Sequence, residues 1–223
     1  MKKGDGFEEG LAVKKGMFIT VEGGEGAGKS TCLEYIKQLL QEKGINSVFT
    51  REPGGTDLGE EVRGILLNKK HMGMASDTEL LLMFAARAEH IDKKILPEVN
   101  NGRWVISDRF TDATYAYQGA GRGIDPQRVG VIEDWVQGEL RPDMTLLLDL
   151  PVEVGMERAS KRGELDRFEV EQMSFFERVA AIYRQRAQNE PDRFRVIDAS
   201  KTIPEVQEQI KLVFEEKFKQ LGL

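Results

Sequence analysis

Gly23-Gly24-Glu25-Gly26-Ala27-Gly28-Lys29-Ser30 spells G-x-x-x-x-G-K-S, and Thr31 follows. Ahead of it, residues 17–22 (MFITVE) form a short apolar run. Behind it, Leu33, Ile36, Leu39 and Leu40 recur at helical spacing over residues 31–43, and Gly44 then supplies a stop. A strand that breaks into glycines and opens a helix is the setting in which this spacing binds phosphate. The glycines let successive N–H groups turn inward without a Cβ clash, and the helix N-terminus adds partial positive charge. Lys29 then reaches the β- and γ-phosphates, and the Ser30 hydroxyl is a Mg²⁺ ligand. Gly23 through Thr31 are therefore expected to hold a nucleoside triphosphate with Mg²⁺.

Four more short apolar runs follow: 47–51 (SVFTR), 103–107 (RWVIS), 145–150 (TLLLDL) and 194–197 (FRVI). Amphipathic segments separate them. Ser76 and Glu79 have capping-box spacing and start a helix reaching about Val99, with Pro97 kinking or ending it. Thr202 and Glu205 cap a last helix. Strands joined by helical crossovers make a parallel sheet covered on both faces, which is why the strands are apolar throughout. The expectation is an α/β chain of the P-loop NTPase fold. It has a five-stranded, mostly parallel sheet, helices on both faces and a short helical lid. Residues 1–15 carry three glycines and seven charges. Residues 1–16 are expected to be a flexible extension, and 17–223 one domain with its lid at about 155–170.

The chain has 223 residues, 40% of them hydrophobic, and a single cysteine, Cys32, so no disulfide closes within it. Two histidines and one cysteine leave little for a nitrogen/sulfur metal site. No apolar stretch is long enough to span a bilayer, and the first residues lack the apolar run of a secretory signal. The reading is cytoplasmic, with no membrane partner. The net charge of −6 argues against nucleic acid as the main partner. Small anions stay open, because local arginines override global charge.

A second anion site is written in four segments. Arg51 ends the second strand run, on the edge where such sheets bind ligands, and its fork suits a phosphate. Phe84 and Arg87 share a helix face, an aromatic and a guanidinium suited to a planar base, although Phe84 also reads as core in the run Leu80–Phe84. Asp108 and Arg109 end the third strand run, an acid for Mg²⁺ beside a cation for phosphates. Thr114, Tyr117 and Gln118 fall on one face downstream, and Thr and Gln read donor and acceptor positions. Arg158, Lys161 and Arg162, with Arg167 beyond, form a basic run. Alone it reads as a solvated face; beside a phosphate loop it reads as a lid that brings charge to a transferring phosphoryl group.

In this order the segments FITVEGGEGAGKST, TREPGGT, LLMFAARAEH, SDRFTDATYAYQG, RPDMTLLLDLP and KRGELDRFE resemble the thymidylate kinase family, from Met17 to about Leu221. The resemblance implies ATP-dependent phosphorylation of dTMP to dTDP, feeding dTTP synthesis, with Mg²⁺. It implies Glu25 at the 3′-hydroxyl, Arg51 on the acceptor phosphate, Phe84 stacked on thymine and Arg87 on a thymine carbonyl. Thr114 and Gln118 become further base contacts, and Tyr117 stands beside the sugar 2′ position. Asp108 and Arg109 match the family's DR[YF] motif. Lys29, Arg109 and Arg162 become the catalytic cations. No basic residue lies among Gly24–Ala27, so the chain is similar to the bacterial type, whose catalytic arginine is in the lid. Family members are homodimers. The competing readings are a UMP or CMP kinase, separated by Phe84, Arg87 and Tyr117, and a nucleotide switch with no small acceptor.

Overall fold

The computed structural model describes residues 16–161, 166–169 and 171–223. The extension expected over 1–16 lies outside them except for Gly16, and so does Arg162. Five strands are present: β1 (Phe18–Gly23), β2 (Ser47–Arg51), β3 (Trp104–Asp108), β4 (Met144–Asp149) and β5 (Phe194–Asp198). They lie in the order β2-β3-β1-β4-β5, and every neighbouring pair is parallel. The carboxyl ends therefore share one edge: Arg51 is in register with Asp108, and Asp108 with Val21.

The helices are α1 (Lys29–Glu42), α2 (Asp57–Leu67), α3 (Ser76–His90), α4 (Leu96–Asn100), α5 (Thr111–Thr114), α6 (Pro126–Gln137), α7 (Val152–Ser160), α8 (Met173–Asn189) and α9 (Ile203–Leu221). One core joins β1 and β4 to α1 and α9 through Ile19, Val21, Ile36, Leu40, Leu146, Ile210 and Phe214. On the opposite side Phe18 of β1, Val105 of β3 and Phe110 just beyond it cluster with Val99 of α4. Both faces of the sheet are thus covered. Cys32 is buried in α1, where burial pushes its thiol pKa to about 11, with Lys29 pulling weakly the other way.

Two local expectations change. Ser76 does not cap α3 through its side chain; Ala75 holds the cap position, and Glu79 points inward to ion pairs. The helical run does reach Asn100, next to the expected Val99, but Pro97 does not end it: a π turn at Ile91–Ile95 links α3 to α4 just ahead of the proline. The wider turn accommodates a residue that has no N–H to donate. The capping box of α9 holds, with Glu205 accepting the Thr202 N–H at 2.9 Å.

Candidate active site

A cleft of about 440 Å³ opens at the carboxyl ends of β1, β2 and β3. The phosphate loop forms its floor. Gly28 takes the left-handed conformation (φ 85°) just before α1, leaving the first N–H groups of the helix facing the cleft. Lys29 Nζ folds back to the carbonyl oxygens of Gly23 and Gly24 at 3.2 and 3.4 Å. Burial depresses its pKa and Arg109 adds to this, against the pull of Asp108, Glu25 and Glu22. The loop lies directly on α7: a Cβ on Gly26 would stand 1.9 Å from the Gly155 carbonyl oxygen, and one on Gly155 2.4 Å from the Glu25 oxygen. Only glycine at both positions permits that approach.

Glu25, Arg109 and Tyr117 form the next layer. The Tyr117 hydroxyl donates to Glu25 at 2.7 Å, and Arg109 Nη2 donates to Glu25 at 3.1 Å and to Tyr117 at 2.9 Å. The guanidinium also lies 4.5 Å over the Tyr117 ring. Burial would raise the Glu25 pKa, but Arg109, Lys29 and the Tyr117 hydroxyl outweigh it and hold it at about 2. Glu25 is thus a carboxylate, and its charge is already spoken for. Arg109 has φ 72°, a left-handed conformation costly for a residue with a side chain. Its N–H donates to Val21 O at 3.0 Å and its carbonyl accepts from Ser107 Oγ at 2.8 Å. Those bonds keep the guanidinium over the loop.

At the far end, α3 supplies Arg87, which is 2% exposed. Its Nε donates to Glu52 at 2.7 Å and its Nη2 to Thr114 at 2.9 Å. Nη1 is buried and has no partner among the described residues. Gln118 lines the same end and donates from Nε2 to Glu79 at 2.8 Å. Thr114, Tyr117 and Gln118 all line the cleft, although a π turn, Tyr115–Gly121, follows α5 where a regular helix was expected. Arg51 ends β2, half exposed, and is held by Glu60 at 2.7 Å. The Asp108 carboxyl lines the cleft beside it, and its Oδ1 is buried without a partner.

Phe84, Lys161 and Arg167 stand apart from the other expected site residues. Phe84 does not line the cleft. It packs with Leu80, Ile124 and Val129 behind Arg87, whose guanidinium stands 4.8 Å from its ring, so here it supports the arginine. Leu67, Met83, Phe110, Ala113 and Phe168 are among the cleft's apolar lining. Arg167 is buried, donates from Nε to Leu66 O at 2.6 Å and pairs with Glu79 at 2.6 Å. The basic face also divides. Arg158 lines the cleft and donates to Ala199 O at 2.8 Å, whereas Lys161 lies past the end of α7 in an exposed pair with Glu157.

The sequence reading missed Arg63, Glu22 and Glu79. Arg63 lines the cleft from α2 and donates to Pro53 O at 2.9 Å. Glu22, buried in β1, accepts the Phe110 N–H at 2.7 Å and the Tyr183 hydroxyl at 2.8 Å. Burial, reinforced by Asp112, pushes its pKa to about 8 against the Tyr183 hydrogen bond and Arg109. An acid inside an apolar strand was the one signal available for it.

Residues 21–210 match the family profile described as Thymidylate kinase. The chain belongs to the thymidylate kinase family. A thymidylate kinase of Pseudomonas putida is 56% identical over 195 residues, 87% of this chain and 93% of that protein. One from Vesicomyosocius okutanii is 52% identical over 203 residues, 91% of this chain and 99% of that one. The crystal structure of thymidylate kinase from Ehrlichia chaffeensis superposes with a TM-score of 0.71 at 35% identity, covering 90% of this chain and 99% of that one. The thymidylate kinase fold thus carries the cleft at its strand ends. No helix among the described residues is long and apolar enough to cross a membrane.

Proposed function

We infer that this chain transfers the γ-phosphoryl group of ATP to the 5′-phosphate of dTMP, giving dTDP and ADP. The observation that carries this reading is one cleft with a phosphate loop at one end and, at the other, a buried guanidinium with a free N–H. One anion sits on Gly23–Thr31; the second substrate lies between them, its base toward Arg87, Thr114 and Gln118.

Arg51 and Arg63 reach the cleft from β2 and α2 and hold the acceptor phosphate, with Arg109 between it and the donor. Near neutral pH that phosphate is largely dianionic, its second ionisation being near pH 6, so no strong general base is needed. Its oxygen attacks phosphorus in line; the bond from the γ-phosphorus to the β–γ bridging oxygen breaks, and ADP takes that electron pair. The chain contributes position and positive charge from Lys29, Arg109 and the lid residue Arg162. Glu25 holds Arg109 and Tyr117 and accepts from the sugar 3′-hydroxyl, and Tyr117 fills the space a 2′-hydroxyl would need. Asp108 Oδ1 and the Ser30 hydroxyl fit a hard cation: one is a buried oxygen without a partner, the other lies in the first turn of α1, next to the phosphate loop. Mg²⁺ bound there neutralises charge on the β- and γ-phosphates.

Residues 17–223 act as one kinase domain, with 155–170 as its lid, in the cytoplasm. A second copy covers α3 and α6. The Asp77–Arg128 pair links the first turns of these helices, and beyond it Leu81 and Val131 stand exposed, with Trp135 85% exposed. Light scattering of the wild type and Trp135→Glu tests that face: a dimer reduced to monomer supports it, and a wild-type monomer refutes it.

The activity is tested by ADP release with ATP, Mg²⁺ and a panel of dTMP, dUMP, UMP, CMP, dCMP, AMP and GMP. Turnover led by dTMP supports the reading. Turnover led by a ribonucleotide overturns the base and sugar pocket, and ADP release independent of every acceptor overturns the kinase assignment.

A further inference from the structure

Glu79 lines no part of the cleft, yet it is fully buried and all its partners are long-range. Its Oε1 accepts from Gln118 Nε2 at 2.8 Å. Arg122 Nε donates to both of its oxygens at 3.2 Å, and Arg167 Nη2 pairs with Oε2 at 2.6 Å. A carboxylate between two guanidiniums has no proton to give, so it accepts only. The Gln118 end that faces Glu79 must therefore be the amide NH₂. Its carbonyl oxygen is the remaining end, which this bond leaves for the cleft that Gln118 lines. Gln118 lines the cleft together with Arg87, whose buried Nη1 is a donor without a partner.

The base end thus offers one fixed acceptor and one fixed donor. Thymine presents the complement on adjacent atoms, an N3–H donor and an O4 acceptor. Cytosine presents the reverse, an N3 acceptor and an N4 amino donor. An amide free to rotate would serve either base, because its two ends differ only in donor and acceptor character. We propose that Glu79, without touching substrate, fixes which end of the Gln118 amide faces the base and so makes the pocket selective for thymine over cytosine. Arg122 and Arg167 take part by keeping Glu79 accept-only. The inference rests on the reading that Gln118 contacts the base.

The test compares kcat/KM for dTMP and dCMP in the wild type, Glu79→Gln and Gln118→Ala. Gln at position 79 both donates and accepts, so it no longer dictates the Gln118 orientation. The dTMP/dCMP ratio is expected to fall by about ten- to a hundredfold in Glu79→Gln, the worth of one mismatched buried hydrogen bond. A merely structural Glu79 would lower both values together, and an unchanged ratio overturns the proposal. Gln118→Ala separates the two layers. A ratio that falls there but not in Glu79→Gln refutes the role of Glu79 alone, whereas a ratio unchanged in Gln118→Ala refutes the base contact itself. Should Glu79→Gln fail to fold, ¹⁵N spectra of the wild type decide. The Gln118 side-chain amide, identified by its loss in Gln118→Ala, should stay protected from exchange with and without dTMP. Fast exchange of that amide in the dTMP complex overturns the proposal.

Discussion

Gly155→Ala isolates the contact between α7 and the phosphate loop. An added Cβ would lie 2.4 Å from the Glu25 carbonyl oxygen, and real Cβ contacts essentially never come under 3.0 Å. Both partners are backbone, so the loop must retreat by at least about half an ångström. Two terms then oppose each other in stability. Alanine gains about 1 kcal/mol of helix propensity over glycine, and overpacking costs about 1–3 kcal/mol. The net loss is at most about 2 kcal/mol, or roughly 4–8 °C in Tm for a chain of this size. The effect on rate is larger, since a misplacement of about 1 Å costs on the order of 10² in turnover. The expected result is kcat lower by about ten- to a hundredfold at saturating ATP and dTMP, with cooperative melting retained. Gly64→Ala on α2, where nothing lies within 4 Å, is the control; it should melt slightly higher and keep full activity. A kcat for Gly155→Ala within about twofold of wild type would show that the loop does not depend on this contact.

Other perturbations read different layers of the site. Arg109→Ala should lower kcat by about 10³-fold in the coupled assay, as the loss of a cation on the transferring group requires. Because φ there is 72°, Arg109→Gly should be about 1 kcal/mol more stable in urea than Arg109→Ala, and the reverse order would contradict the strain. Arg167→Ala leaves Glu79 buried with only Arg122 as its cation and should cost about 3 kcal/mol in urea unfolding; a loss under about 1 kcal/mol would remove it as an anchor. Glu25 has a folded pKa of about 2 against an ordinary 4.5, so its contribution is complete above about pH 4.5 and lost as pH falls toward 2. Urea midpoints should drop over that range in the wild type, and less steeply in Glu25→Gln. Glu22 has the opposite sign. Its pKa is raised to about 8, so its contribution is complete below about pH 4.5 and declines as pH rises toward 8, a decline that Glu22→Gln should flatten.

The strands and the phosphate loop were legible because both are local. A parallel strand buried on two faces is an apolar run, and the loop is a contiguous string fixed by its glycines. Every strand was placed to within one or two residues. The positions whose surroundings a local reading did not give have partners far along the chain. Glu79 has capping-box spacing from Ser76, but Arg122 and Arg167, from segments remote in sequence, draw it into the interior. Arg167 looks like one more lid charge until the Leu66 carbonyl and Glu79 claim it. Phe84 and Arg87 do share a face, but Glu52 and Thr114 turn the guanidinium toward the cleft and leave the ring behind it. Arg63 sits on α2, a helix that the sequence reading left unassigned.

The lone thiol of Cys32 makes this chain convenient for labelling. With its pKa pushed to about 11, on the order of one Cys32 in a few thousand is ionised at about pH 7.5, and the thiolate is the reactive form. The core also shuts out bulky maleimides and spin labels. A cysteine placed at exposed Lys161, just past the end of α7, would then be the one site to take a probe, with no need to remove the native residue. Paired with a fluorescent nucleotide on the phosphate loop, such a probe would report nucleotide-dependent movement of that segment in otherwise unaltered enzyme.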